Sequence, residues 1–364
     1  MAIMRAHSDG ESDMALAPTG AQGSAVDELL ADARSIEGFG LHPERTLPWV
    51  VRAGTAAPLP GTRTADLWRL LAETARIDVA AARMLEPHLD ALAILAEARR
   101  DGVPLDLRMA DAGGSWGVFA AEGGDDPVRA ERQADGTWRL TGTKPWCSLA
   151  AQLDRALITA WVDDDRGLFA VDLRGPSVST RPGPWVPRGL AQVVSAPIDL
   201  DRAPALPVGG PGWYLRRPGF AWGGMGVAAV WWGGAQPLAD TLSARARIAG
   251  ADQLAEVYAG EADAASWASS IALAAAARAV DDGVDGEPAR LLAARVRAVV
   301  AGNVRAVLAL EARALGPGPA SVDETHARRV ADLELYVRQD HADRDLARLG
   351  RLSGAAPESR ESTR

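Results

Sequence analysis

The hydrophobic period of this chain changes twice, and that constrains the fold more than any single residue does. From Val26, apolar residues recur at three and four spacings through VDELLADARSI and TADLWRLLAETARIDVAAARMLEPHLDALAILAEARR, the pattern of amphipathic helices. Between Ser115 and about Pro207 the texture becomes short β-like runs, GVFAAE, WRLTG, RALITAWV, GLFAVDL and VVSAPIDL, separated by Gly, Pro and Asp turns. From Phe220 helices return in four long Ala- and Leu-rich segments, the last being THARRVADLELYVRQDHADRDLARLG, which predicts an up-and-down bundle. GPGPAS, Gly316 to Ser321, reads as a helix-to-helix corner. The expected architecture is therefore an α+β multidomain chain. It has an N-terminal helical domain over 25–112, a small β-barrel or sandwich over 113–217, and a C-terminal four-helix bundle over 218–352. Residues 1–24 and 353–364 are polar, small and aperiodic, and disorder is expected there.

A chain of 364 residues that is 48% hydrophobic can bury a sizeable core, divided among two or three domains. Its net charge of −9 carries no concentrated basic run, which argues against nucleic acid as a partner. Cys147 is the only cysteine, so neither an intramolecular disulfide nor a cysteine zinc cluster can form. The first residues, MAIMRAHSDGESDMALAPTG, lack an apolar run of signal-peptide length, and no stretch approaches a membrane span. A cytoplasmic protein without membrane contact is expected. The five histidines, at positions 7, 42, 88, 326 and 341, form no ligand-spaced pair, so no metal site is expected. Lys144 is the only lysine, which reflects either a coding bias towards arginine or a local need for a compact ammonium.

The segment Gly136–Ser148, GTWRLTGTKPWCS, reads as a hairpin with a Gly-Thr turn after Leu140. If the segment is extended, Trp146 and Ser148 point to the same side and set an indole face beside a hydroxyl. Such a pair suits a flat conjugated ring with a nitrogen that gains and loses a proton. Two glycine patterns point elsewhere and lack the context they need. Gly113-Gly114-Ser115-Trp116-Gly117 matches a nucleophile elbow but is followed by a β-like run instead of a helix. Gly224-Met225-Gly226-Val227-Ala228-Ala229 matches a dinucleotide turn but has no strand before it, and is read as small residues that let two helices approach.

GTWRLTGTKPWCSLAAQLDRALITA resembles the middle-domain segment of the acyl-CoA dehydrogenases, in which a Gly-x-Lys-x-aromatic-x-Ser/Thr run lies against FAD. The likeness extends to ARMLEPHLDALAILAEA and RPGFAWGGMGVAAVWWGGA, and so covers about Ala25 to Leu352. It implies the order helical domain, β domain, helical bundle. It also implies FAD as cofactor, with Trp146 packed on the flavin and Ser148 donating to its reactive nitrogen. Ala121 and Glu122 would stand at the flavin edge, Ala121 replacing the family's usual threonine. Aligned through Tyr336, Asp340 takes the position of the catalytic base, and the stripe Val330, Leu333, Val337 continues onto it. His341 is the next candidate for the base, and a surface ion pair with Arg338 or Arg344 is the non-catalytic reading of Asp340. The Arg-x-x-aromatic-Gly segment of the family has only Arg245 or Arg247 as counterparts. The implied reaction is α,β-dehydrogenation of an acyl thioester such as an acyl-CoA, with electrons passing to an electron-transfer flavoprotein. The alternatives are a non-catalytic subunit of a heteromeric complex, or a flavin-dependent oxidase or monooxygenase. A homodimer or homotetramer is expected, because broad Ala- and Leu-rich helix faces rarely stay exposed.

Overall fold

The computed structural model describes residues 23–105, 113–123, 126–181 and 183–354. Most of the two termini expected to be disordered lies outside the described residues. Residues 23–24 and 353–354 are described, as parts of helices.

Four helices come first: α1 (Gly23–Ser35), α2 (Pro43–Ala56), α3 (Thr64–Ile77) and α4 (Val79–Arg100). The long periodic run beginning at Thr64 is two helices, because Asp78 adopts an extended conformation and its carboxylate accepts the Ala81 N–H at 2.9 Å. A side-chain acceptor there satisfies one of the four N–H groups that a new helix leaves without a partner.

The β region holds β1 (Trp116–Phe119), β2 (Arg129–Arg132), β3 (Trp138–Ser148), β4 (Arg155–Val162), β5 (Asp165–Asp172), β6 (Val178–Thr180) and β7 (Ser195–Pro207). β4, β2, β3, β7 and β5 follow one another in a closed ring, with β5 returning to β4 over its full length. β1 adds to β4 in parallel and β6 to β7. Ring closure is what leaves these short strands without a long open edge.

The expected hairpin within 136–148 is not there. Instead, β3 runs straight through as one eleven-residue strand, and the true hairpin joins β2 to β3 through 133–137. The Gly-Thr pair that reads as a turn is a kink: the register against β7 shifts between Leu140 and Gly142, and Gly142 has φ +127°. A Cβ there would sit 2.8 Å from the Pro127 carbonyl oxygen, so only glycine lets β3 bend under that loop.

Helices then return as α5 (Trp213–Arg216), α6 (Gly219–Ala246), α7 (Gln253–Asp281), α8 (Gly286–Leu315), α9 (Pro317–Val322), α10 (Glu324–Tyr336) and α11 (Asp343–Gly354). GPGPAS holds the corner, with Gly316 at φ +64° between α8 and the short α9. The fourth bundle segment is interrupted. A 3₁₀ turn over Val337–Gln339 ends α10, and the chain restarts in α11. One continuous core runs from Trp49 and Trp68 through Ile158 and Phe169 of the barrel to Trp231 and Leu273.

Gly224 to Ala229 lies in mid-helix, so no strand-turn-helix dinucleotide site exists. The close helix approach inferred from small residues occurs two turns later, where α6 crosses α3. A Cβ on Gly233 would lie 2.1 Å from the Ala72 carbonyl oxygen, which is backbone and cannot swing aside. Gly233→Ala should therefore force α3 and α6 apart and cost about 1–3 kcal/mol. Urea unfolding checks this, and a midpoint unchanged from the parent would show that the helices have slack.

Candidate active site

Between the barrel rim, α4, the start of α6 and the turn after α10 lies a cavity of about 880 Å³. The barrel contributes Phe119, Ala121, Trp146 and Ser148, α4 contributes Arg83, Glu86 and Asp90, and the C-terminal segment contributes Tyr336 and His341.

Trp146 reaches it through a second irregularity in β3. The register against β7 shifts again between Lys144 and Cys147, and Trp146 has φ +59°. A left-handed backbone costs a non-glycine residue roughly 1–2 kcal/mol, and such strain clusters at functional sites. The shift breaks simple alternation: Cys147 is fully buried, while Trp146 is 66% exposed, with its indole at the cavity. Ser148 Oγ lies 2.7 Å from Ser195 Oγ and accepts from Arg83 Nη2 at 3.3 Å. Trp146 and Ser148 thus meet at one wall, although by a bulge and not by strand alternation. Ala121 joins them there.

Glu122 does not join that wall. Its carboxylate accepts from Lys144 Nζ at 2.9 Å and from Thr159 Oγ1 at 3.1 Å, with Arg166 at 3.4 Å. Burial opposes ionisation of Glu122, yet the hydrogen bond and charge of Lys144, then Arg166 and Thr159, hold its carboxyl below the usual range. The structure decides between the two readings of Lys144. Its ammonium is 2% exposed and donates to Glu122, to the Thr159 carbonyl at 2.9 Å and to Thr159 Oγ1 at 2.8 Å, a need that a three-donor point charge meets.

Asp340 is buried, as the apolar stripe indicated, at 6% exposure. Its carboxylate, however, accepts from Arg305 Nη2 at 3.1 Å, and Asp340 is not part of the cavity wall. The helix that would have continued the stripe stops at Tyr336, and its 3₁₀ end rotates the following residues, so that Gln339 and His341 face the cavity instead. Arg245 and Arg247 lie at the exposed end of α6, away from the cavity.

The charged cavity residues of α4 escaped the sequence reading. Arg83, Glu86 and Asp90 fall at spacings of three and four on α4, so they share one face of a helix whose other positions are largely buried and apolar. Charges on an otherwise buried helix were the available signal. Burial pushes the Glu86 carboxyl up to about 7, with Asp90 adding to the rise and Arg83 and Arg297 opposing it. Burial also raises Asp90, while Arg217 works against it. The Tyr336 hydroxyl is buried without a hydrogen-bond partner among the described residues, and burial pushes its pKa up.

The remaining candidates have structural roles. Ser115 Oγ donates to Asp154 at 2.8 Å and leads directly into β1, which leaves no nucleophile elbow. His88 Nδ1 accepts the Trp116 N–H at 3.2 Å, and burial holds its pKa down to about 4, as for a neutral core histidine. Among the described residues no cluster of His, Cys, Asp or Glu could hold a metal ion, and no helix is long and apolar enough to cross a membrane.

No known sequence family and no curated protein matches this chain. Solved structures do. FMN-bound TdsC from Paenibacillus sp. A11-2, described elsewhere as a dibenzothiophene monooxygenase, superposes with a TM-score of 0.73 at 16% identity, covering 90% of this chain and 96% of that one. The nitrososynthase of Micromonospora carbonacea var. africana gives 0.74 at 18% identity, covering 92% and 94%. Butyryl-CoA dehydrogenase from Megasphaera elsdenii gives 0.74 at 14% identity, covering 92% and 98%. Identities this low speak for architecture alone, and the architecture is shared over nearly whole chains: this protein has the acyl-CoA dehydrogenase fold.

Proposed function

We propose that this chain is a flavin-dependent oxidoreductase whose isoalloxazine ring lies in the 880 Å³ cavity, and that it oxidises an acyl thioester at the α and β carbons. The observation that carries the reading is Trp146. A tryptophan held at φ +59°, two-thirds exposed and lining a cavity, offers a face to a flat ring, and Ser148 stands two residues away. The cavity falls within the ~300–1,000 Å³ range of cofactor and ligand sites. When bound, a flavin supplies the hydride acceptor that no side chain can.

The chain's own contributions are orientation and proton handling. Trp146 would cover one face of a bound ring, and Ser148, held between Ser195 and Arg83, would offer its hydroxyl to a ring nitrogen. The half-buried carboxylates Glu86 and Asp90 on α4 line the same cavity. FAD is the cofactor we favour, with an electron-transfer flavoprotein as electron acceptor and a homodimer or homotetramer as the assembly.

The purified protein, loaded with FAD under anaerobic conditions, should lose its flavin absorbance on addition of an acyl-CoA. A preparation that stays colourless with excess FAD would sink this reading in favour of a subunit without catalysis. FMN-bound TdsC favours a second reading, in which the same cavity holds FMN and uses oxygen on another substrate. Oxygen consumption without an added electron acceptor would identify it. Ser148→Ala should keep the fold and slow flavin reduction by the equivalent of about 1.5–3 kcal/mol, the worth of a hydrogen bond to a group gaining charge. Reduction at the parental rate would remove Ser148 from the site.

A further inference from the structure

We propose that Glu86, on the N-terminal helix α4, is the carboxylate that takes the α-proton from the substrate; this rests on the acyl-thioester reading above. One guanidinium connects it to the flavin-facing wall. Arg83 Nη2 donates to Ser148 Oγ at 3.3 Å, and Arg83 Nη1 lies 3.5 Å from Glu86 Oε2. Glu86 and Ser148 thus line one cavity and are joined across it through the Arg83 guanidinium. Glu86 contacts Arg83 at 3.5 Å as an ion pair. Its side chain is 14% exposed and lines the cavity, and among the described residues no hydrogen bond reaches it. Asp340, by contrast, accepts a hydrogen bond from Arg305 and is not part of the wall.

A second observation points to a ligand at the same place. Tyr336, 1% exposed, lines the cavity with its hydroxyl unpartnered, and the Arg83 guanidinium lies 5.6 Å from its ring centroid. Buried hydroxyls rarely go unpaired, so this one is open to a polar partner that the described residues do not supply, such as a thioester carbonyl.

The step is a proton transfer. The α C–H bond breaks and an O–H bond forms on Glu86, while the electron pair delocalises onto the carbonyl oxygen as an enolate. Glu86 goes from anion to neutral acid, and no oxidant is consumed in that step. Burial has already raised the Glu86 carboxyl to about 7, which matches a base working near neutrality.

The experiment measures exchange of the α-proton of butyryl-CoA for deuterium in D₂O, by mass spectrometry, on protein whose flavin is kept reduced so that no oxidation occurs. Glu86→Gln should slow exchange by roughly 100-fold or more, and Glu86→Asp by less. In the parent, exchange should rise with pH through about 7, and an infrared carboxyl band titrating there should disappear in Glu86→Gln. Exchange in Glu86→Gln at the parental rate overturns the inference alone. So does loss of exchange in Asp340→Asn with retention in Glu86→Gln, which returns the proton to the C-terminal carboxylate. A parent that exchanges no α-proton overturns the acyl-thioester reading and this inference with it.

Discussion

Arg217→Met should destabilise the folded chain by about 3–5 kcal/mol, the cost of removing one partner from a buried ion pair. Arg217 bridges the segment between α5 and α6 to α4. Its Nη1 donates to Glu97 Oε2 at 2.6 Å and its Nη2 lies 3.8 Å from Asp90, with side-chain exposures of 2% for Arg217 and 5% for Glu97. The other Glu97 oxygen accepts the Gly219 N–H at 3.0 Å, so this carboxylate also caps the beginning of α6. Without the guanidinium, Glu97 is left buried and half-buried Asp90 loses its ion pair. Methionine keeps much of the volume, which confines the loss to electrostatics and hydrogen bonding. Chemical denaturation should show the loss, and Arg217→Met with Glu97→Gln should recover part of it because the stranded charge is gone. A single variant within 1 kcal/mol of the parent would mean that the pair adds little to stability.

Lys144→Met is expected to cost about 3 kcal/mol, for a related reason. The ammonium satisfies the Thr159 carbonyl and hydroxyl and pairs with Glu122, and a thioether can donate to none of them. Glu122 keeps some solvent contact, at 28% side-chain exposure, which moderates the penalty. Lys144→Arg should rescue only partly, since a planar fork cannot reach three acceptors gathered around one point in a site only 2% exposed. The pH dependence has a definite sign. Because the folded-state carboxyl of Glu122 is depressed, its contribution is present above the ordinary glutamate range and lost as pH falls through the lowered value. The gap between parent and Lys144→Met should therefore narrow in acid. Equal unfolding midpoints at neutral pH would show the lysine to be incidental.

Much of the architecture was legible because period is a local property. A helix face repeats every 3.6 residues and a strand face every two, so TADLWRLL and RALITAWV announced their elements without reference to partners. The places where the reading failed are places where long-range contacts override local pattern. TGTK looks like a turn, but β7 runs alongside and pairs with it, so the glycine becomes a bulge within β3. The run from Thr325 to Gly350 looks like one helix, but it breaks at Val337–Gln339, and the break turns His341 towards the cavity while Asp340 goes to Arg305.

For the candidate site the division is sharper. The spacing of Trp146 and Ser148 could be read along the chain, because both lie within three residues of one strand. Arg83 and Glu86 lie sixty residues upstream, and no periodicity joins them to Ser148; only the packing of α4 against β1 and the barrel rim does. Tyr336 comes from the C-terminal segment to the same cavity. Sequence alone determined the alternation of helix, barrel and helix, since burying apolar faces of those periods leaves few other arrangements. Tertiary structure alone decided which charges are stranded in the cavity, because burial and proximity, unlike period, are properties of what packs across the chain.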